Sequence, residues 1–156
     1  MAKKFKKPPL FSLPSTSDKV EKFINYIMLD GKKVVARQIF QDTLDEIKKN
    51  GHVNAMAVWE AAIENAAPHV MIKSRRIGGA IYQVPVEVPA KKRFFYSCKW
   101  IIDYSRAKKG SPMSMRLAEE LLAAYSNQGN AVKKKEDTHK MAEANKAFAY
   151  LAKYIK

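Results

Sequence analysis

The sequence predicts a mainly α-helical single domain of six helices, with one β-hairpin arm inserted between the third and fourth. Three observations carry that prediction. Apolar residues recur every three or four positions through most of the chain, the period of a helix with one buried face. One stretch, around Gly78-Gly79, switches to a period of two, as paired strands do. A chain of 156 residues with 47% apolar composition suits one hydrophobic core.

Residues 1–17 contain Lys3, Lys4, Lys6 and Lys7, no acid, and Pro8, Pro9 and Pro14, so they read as a basic extended arm ahead of a domain over 18–156. A first helix starts at Asp18, with Glu21 three residues on as a capping pair. Val20, Phe23, Ile24, Ile27 and Met28 form its face, and Asp30-Gly31 stops it. A second helix runs from about Lys33 to Asn50-Gly51 with Ala36, Phe40, Leu44 and Ile47 as its stripe. A third begins near Asn54, ends before Pro68 and buries Trp59, Ile63 and Ala66, with Val58 and Ala62 beside them.

The hairpin spans about 70–88. Val70 and Ile72 alternate with Met71 and Lys73, and Tyr82, Val84, Val86 and Val88 alternate with Gln83, Pro85 and Glu87. Pro85 lacks a backbone donor, so its strand is an edge. Two strands alone are marginal in water, so the hairpin projects onto something else or packs on a helix. After Pro89, Phe94, Cys98, Ile101 and Ile102 give the fourth helix its face, up to Lys109-Gly110. Ser111 caps a fifth helix with Pro112 at its first position. Met113, Leu117, Leu121 and Ala124 are its stripe, and a sixth helix continues from about Ala131 toward the C-terminus.

The formal net charge is +14, from 29 Lys+Arg against 15 Asp+Glu. A core has no use for that excess; it is solvated or it meets a polyanion. Residues 18–72 are nearly balanced and read as scaffold, whereas residues 73–116 carry eleven basic groups against two acidic ones. The arm, this central block and the C-terminal segment point together to an anionic polymer.

Within the central block, Lys73, Arg75 and Arg76 precede the Gly78-Gly79 turn, with Tyr82 beyond it as a stacking face. Arginine pairs phosphates bidentately and stacks on bases, as lysine does not. The alternative is an edge strand defended by charge. Lys91, Lys92 and Arg93 open the fourth helix, where cations oppose the helix dipole unless an anion is near. Lys108, Lys109 and Arg116 extend the block, and Lys32 and Lys33 sit at a helix corner. On the last helix, Lys135, His139, Lys146 and Lys153 form a stripe opposite Ala144, Phe148, Leu151 and Ile155, giving a cationic face behind a core face. The aromatic run Phe94, Phe95, Tyr96 and Trp100 reads as core packing before a stacking platform.

Several function classes lack their signatures. No phosphate-binding loop, dinucleotide fingerprint or nucleophile elbow occurs. His52, His69 and His139 lack metal-set spacing, and one cysteine, Cys98, allows no internal disulfide framework and fits a reducing compartment. No apolar run approaches the roughly 18 residues of a membrane span. The expected protein is no enzyme, uses no cofactor or small-molecule substrate and meets no membrane. A structural RNA-binding role leads; a DNA-binding helical domain and an RNA chaperone are the alternatives, and an RNA-directed enzyme ranks last.

Five segments resemble the small-subunit ribosomal protein S-seven family of bacterial and organellar type. They are Asp30-Gly31-Lys32-Lys33, Lys73 to Gly79, Tyr82 to Val88, Trp100-Ile101, and the C-terminal block from Ala131-Val132-Lys133-Lys134-Lys135 to Ala149. The resemblance implies binding to the 3′ major domain of small-subunit rRNA, nucleation of the subunit head, and a hairpin near the exit-site tRNA and the mRNA path. It implies ribosomal proteins S-nine and S-eleven as neighbours and a cytoplasmic location in the small subunit, with an organellar matrix or stroma as the alternative. The chain departs from the family pattern at Leu13-Pro14-Ser15-Thr16, in its all-lysine arm, and in the bulky run Phe94 to Lys99.

Overall fold

The computed structural model describes residues 17–154, so the expected arm with Lys3, Lys4, Lys6 and Lys7 lies outside the described residues, as do Ile155 and the side chain of Lys153. Six α-helices occur in the order α1 (Asp18–Ile27), α2 (Lys33–Lys49), α3 (Ala55–Asn65), α4 (Ala90–Ala107), α5 (Met113–Tyr125) and α6 (Gly129–Ala144). The strands β1 (Val70–Ile77) and β2 (Ala80–Glu87) stand between α3 and α4, and a 3-10 helix (Lys146–Tyr154) follows α6. The helical count among the described residues is therefore seven, not six. Asn145 interrupts the last helix, its side-chain amide donating back to the Met141 carbonyl at 2.8 Å. No described helix is long and apolar enough to cross a membrane.

Helix α5 is the hub and touches α2, α3, α4 and α6. Its stripe explains why, since Leu117, Leu121 and Ala124 are fully buried. Phe23, Phe40 and Trp59 join α1, α2 and α3 as mutual edge-to-face aromatic pairs with ring centroids 5.4–5.9 Å apart. Such pairs contribute about 0.5–1.5 kcal/mol beyond their buried area.

The start of α1 differs from expectation. Ser17 is the cap, its hydroxyl accepting from the Val20 amide at 3.4 Å. Glu21 does not close a capping box. It lies between Val20 and Phe23 on the buried face and pairs with Lys33 Nζ at 2.8 Å and an Arg37 guanidinium nitrogen at 3.1 Å, both on α2. A buried carboxylate needs such partners, so it became a clamp between α1 and α2. The start of α5 shifts by one residue, with Pro112 in place of Ser111 as its cap.

The hairpin register runs from Val70↔Glu87 to Ile77↔Ala80. Gly78 (φ 57°) and Gly79 (φ 91°) occupy the two left-handed positions that a tight type I′ turn requires. The Val88 amide donates to the His69 carbonyl at 2.9 Å. Hydrogen-bonded pairs alternate along an antiparallel ladder, so Ile72↔Pro85 falls at a non-bonded pair and the missing donor of Pro85 costs the ladder nothing. The hairpin does find a support: it packs on α6 and on the 3-10 helix, where Tyr82 meets Phe148 edge-to-face at 5.3 Å.

The phase of α6 also corrects the sequence reading. Its inward face consists of buried Ala131, Val132, Thr138 and Ala142, with half-buried Lys135 and His139 between them. Ala144 is exposed, although Leu151 is buried as expected. The expected stripe took its phase from Ala144 to Ile155, but the helix breaks before Lys146, and the phase does not carry through. Lys135 and His139 therefore face the protein.

Candidate nucleic-acid interface

The predicted cations sort into those occupied within the fold and those left to solvent. Among the occupied ones, Lys135 Nζ donates to the Asn65 carbonyl at 2.7 Å, a cation at the C-terminal end of α3. His139 Nε2 accepts from the His69 amide at 3.1 Å, which ties α6 to the foot of the hairpin. Burial, then Lys135, then His69 hold its pKa below the ordinary 6.5. Arg93 Nε donates to the Val88 carbonyl at 2.9 Å and locks the hairpin onto the start of α4. Arg116 donates to the carbonyls of Arg106 and Lys108 at the end of α4. Lys108 pairs with Glu119 at 3.3 Å and with buried Glu120 at 3.4 Å. Glu120 also accepts from the Ala131 amide at 3.0 Å, capping α6. Gly129 is required there, since an added Cβ would stand 2.9 Å from the Ala123 side chain and 3.2 Å from Glu120. Lys33 is held by Glu21, and Lys146 pairs with Glu143 in an exposed contact at 3.1 Å.

The second group is exposed and, among the described residues, paired with no carboxylate. It comprises Lys32, Lys73, Arg75, Arg76, Lys91, Lys92, Lys109, Lys133 and Lys134 from the predicted set. Lys19 and Lys22 join them without having been singled out by sequence. They lie in a segment of balanced charge, but α1 sets them beside α4. An open cleft of about 570 Å³ there is lined by Lys19, Lys22, Tyr26, Glu64, Lys91, Arg93 and Phe94, among others. On the other side of the α4 start, a smaller groove between α4 and the hairpin foot is lined by Lys73 and Lys92. Unpaired cations thus run from α1 across the start of α4 and onto β1.

Three expectations change in detail. Tyr82 is half-buried against Phe148, so its ring is engaged within the chain and is not a bare stacking face beyond the turn. Trp100 is buried and Phe94 and Tyr96 pack on the core, in line with the core reading, but Phe95 is 38% exposed and meets Tyr26 at 5.5 Å. Cys98 is fully buried, and burial raises its thiol pKa far above the usual range, so it offers no reactive thiol. Among the described residues no three His, Cys, Asp or Glu side chains gather as a metal site.

A basic surface split between helices and a β-arm matches the resemblance drawn from the hairpin and C-terminal motifs. The sequence model of the family described as Ribosomal protein S7p/S5e matches residues 2–146. The chain belongs to this family. It is 50% identical over 131 residues to the small ribosomal subunit protein uS7 of Thermotoga neapolitana, covering 84% of each chain. It is 53% identical over 135 residues to the protein of that name from Francisella philomiragia subsp. philomiragia, covering 86% of each. The Natranaerobius thermophilus protein of that name is 49% identical over 134 residues, again 86% of each. Membership in a ribosomal protein family accords with the expected non-enzymatic, RNA-associated role. The family match begins at residue 2 and stops at Lys146, where the 3-10 helix begins.

Proposed function

We propose that this chain is a structural constituent of the small ribosomal subunit, located with it in the cytoplasm, and that it anchors to the 3′ major domain of small-subunit rRNA. The observation that carries this reading is the unpaired cationic surface of Lys19, Lys22, Lys73, Lys91 and Lys92 around the start of α4, continued up the hairpin by Arg75 and Arg76. Cations at a helix N-terminus oppose the macrodipole, and an RNA backbone supplies the missing counter-charge. The clefts on either side of the α4 start set these cations on helix and hairpin together, a surface suited to the phosphates of structured RNA. Binding there early would hold the domain for subunit-head assembly, beside proteins S-nine and S-eleven. The tip, with Arg75, Arg76, Gly78 and Gly79, extends toward the exit-site tRNA and the mRNA path. The remaining exposed lysines, Lys32, Lys109, Lys133 and Lys134, meet rRNA phosphates at the periphery.

Co-sedimentation with small subunits, together with competition between a 3′ major-domain rRNA fragment and duplex DNA, tests the proposal. The protein should sediment with the subunit, and the rRNA fragment should displace it from duplex DNA at much lower concentration. Equal competition by duplex DNA would favour a helix in a DNA major groove instead.

A further inference from the structure

The groove between the hairpin foot and α4 has a composition unlike the rest of the basic surface. It has a volume of about 130 Å³ and is lined by Met71, Val86, Val88, Pro89 and Tyr96, together with the exposed lysines Lys73 and Lys92. Met71 and Val86 are directly paired across the ladder, so they share one face of the hairpin. Tyr96 supplies a half-buried aromatic ring from α4, steadied by Phe95 at 5.4 Å and Trp100 at 6.1 Å. The two walls are fixed to each other because Arg93 of α4 donates to the Val88 carbonyl. Clefts for drug-sized ligands run to ~300–1,000 Å³. This one has room for a single flat ring system, an apolar and aromatic lining, and two exposed lysines without a carboxylate partner among the described residues.

We propose that this groove captures one unpaired nucleotide of an RNA strand, the base lying on Tyr96 between the hairpin and α4 and the flanking phosphates meeting Lys73 and Lys92. The inference rests on the RNA-binding reading above and deepens it. A base held in a duplex cannot enter, since only unstacked bases can be splayed onto aromatic side chains. The groove therefore reads a bulge, a loop or a junction instead of a paired stem.

The test uses the full-length protein and a 3′ major-domain rRNA fragment. Ultraviolet cross-linking of the unaltered complex, followed by mass spectrometry, should join one unpaired nucleotide to the peptide containing Tyr96. Tyr96→Ala should weaken binding about tenfold, in the range that loss of one stacked base gives. Tyr96→Phe, which keeps the ring, should bind like the parent. If Tyr96→Ala fails to fold by circular dichroism, the cross-link in the parent decides alone. Tight binding of the fragment with no cross-link at Tyr96, or with a cross-link to a base-paired position, would overturn the groove proposal while leaving the rRNA reading standing. Failure of the parent to bind the fragment would overturn both. Protection of the Tyr96 peptide by adenosine monophosphate as strong as that by the fragment would make this a free-nucleotide site and would equally overturn it.

Discussion

At the scale of single residues, Glu21 shows how a charge becomes structural. Hydrogen bonding to Lys33, more than its burial, sets its pKa, which is held below the ordinary 4.5, with Arg37 adding to the effect. A carboxylate whose folded pKa is depressed contributes stability that is complete above the unfolded value and is lost as pH falls through the folded one. Glu21→Gln should therefore lower the melting temperature at neutral pH, by the equivalent of about 2 kcal/mol. It should also flatten the fall in melting temperature below pH 4.5 that the parent shows. The sign at His139 matters too. Its pKa lies below 6.5, so the neutral ring that accepts from the His69 amide is stabilising above that value. Protonation on acidification breaks the contact. Hydrogen exchange at the foot of the hairpin should rise as pH drops below 6.5, after correction for the intrinsic rate, and His139→Ala should abolish that pH dependence. Neither role was legible in sequence. Glu21 stood where a capping box would put it, and its partners lie on another helix. His139 looked like one of a basic row until the phase of α6 was fixed.

At the scale of elements, α1 to α5 and the hairpin were legible because their signals are local. A stripe such as Ala36, Phe40, Leu44 and Ile47 sets the phase of its own helix, and Gly78-Gly79 sets the register of its own ladder. The C-terminal segment was not legible, because Asn145-Lys146 is a weak stop signal within helix-forming sequence. The separate 3-10 helix packs through long-range contacts, among them Phe148 on Tyr82 and the buried Leu151. Phe148→Ala should raise hydrogen exchange across β2 while leaving α1 to α5 protected. Unchanged exchange in β2 would mean that the hairpin stands without the tail. The two classes of lysine on α6 should separate likewise. Lys135→Gln removes the contact to the end of α3 and should cost about 1 kcal/mol of stability. Lys133→Gln with Lys134→Gln should stay within about 0.5 kcal/mol each and weaken rRNA binding instead.

At the scale of the whole molecule, the excess charge is what a linear count could detect and only partly locate. Counting along the chain marked the arm, the central block and the C-terminal segment as basic and passed over Lys19 and Lys22, whose neighbours in sequence balance them. Folding sets those two beside Lys91 and Arg93 of another basic run and withdraws Lys33, Lys108 and Lys135 into protein contacts. The binding surface is thus a property of how α1, α4 and the hairpin meet. Its most direct test is the salt dependence of affinity for the 3′ major-domain rRNA fragment, measured for the parent and for a variant with Lys19, Lys22, Lys91 and Lys92 all changed to Gln. With about six of the exposed cations in direct phosphate contact at once, the parent's log–log slope is roughly −4 to −5. The variant should keep its melting temperature, bind far more weakly and show a slope shallower by roughly 3. A variant with the parent's slope and affinity would contradict the assignment of this surface to RNA.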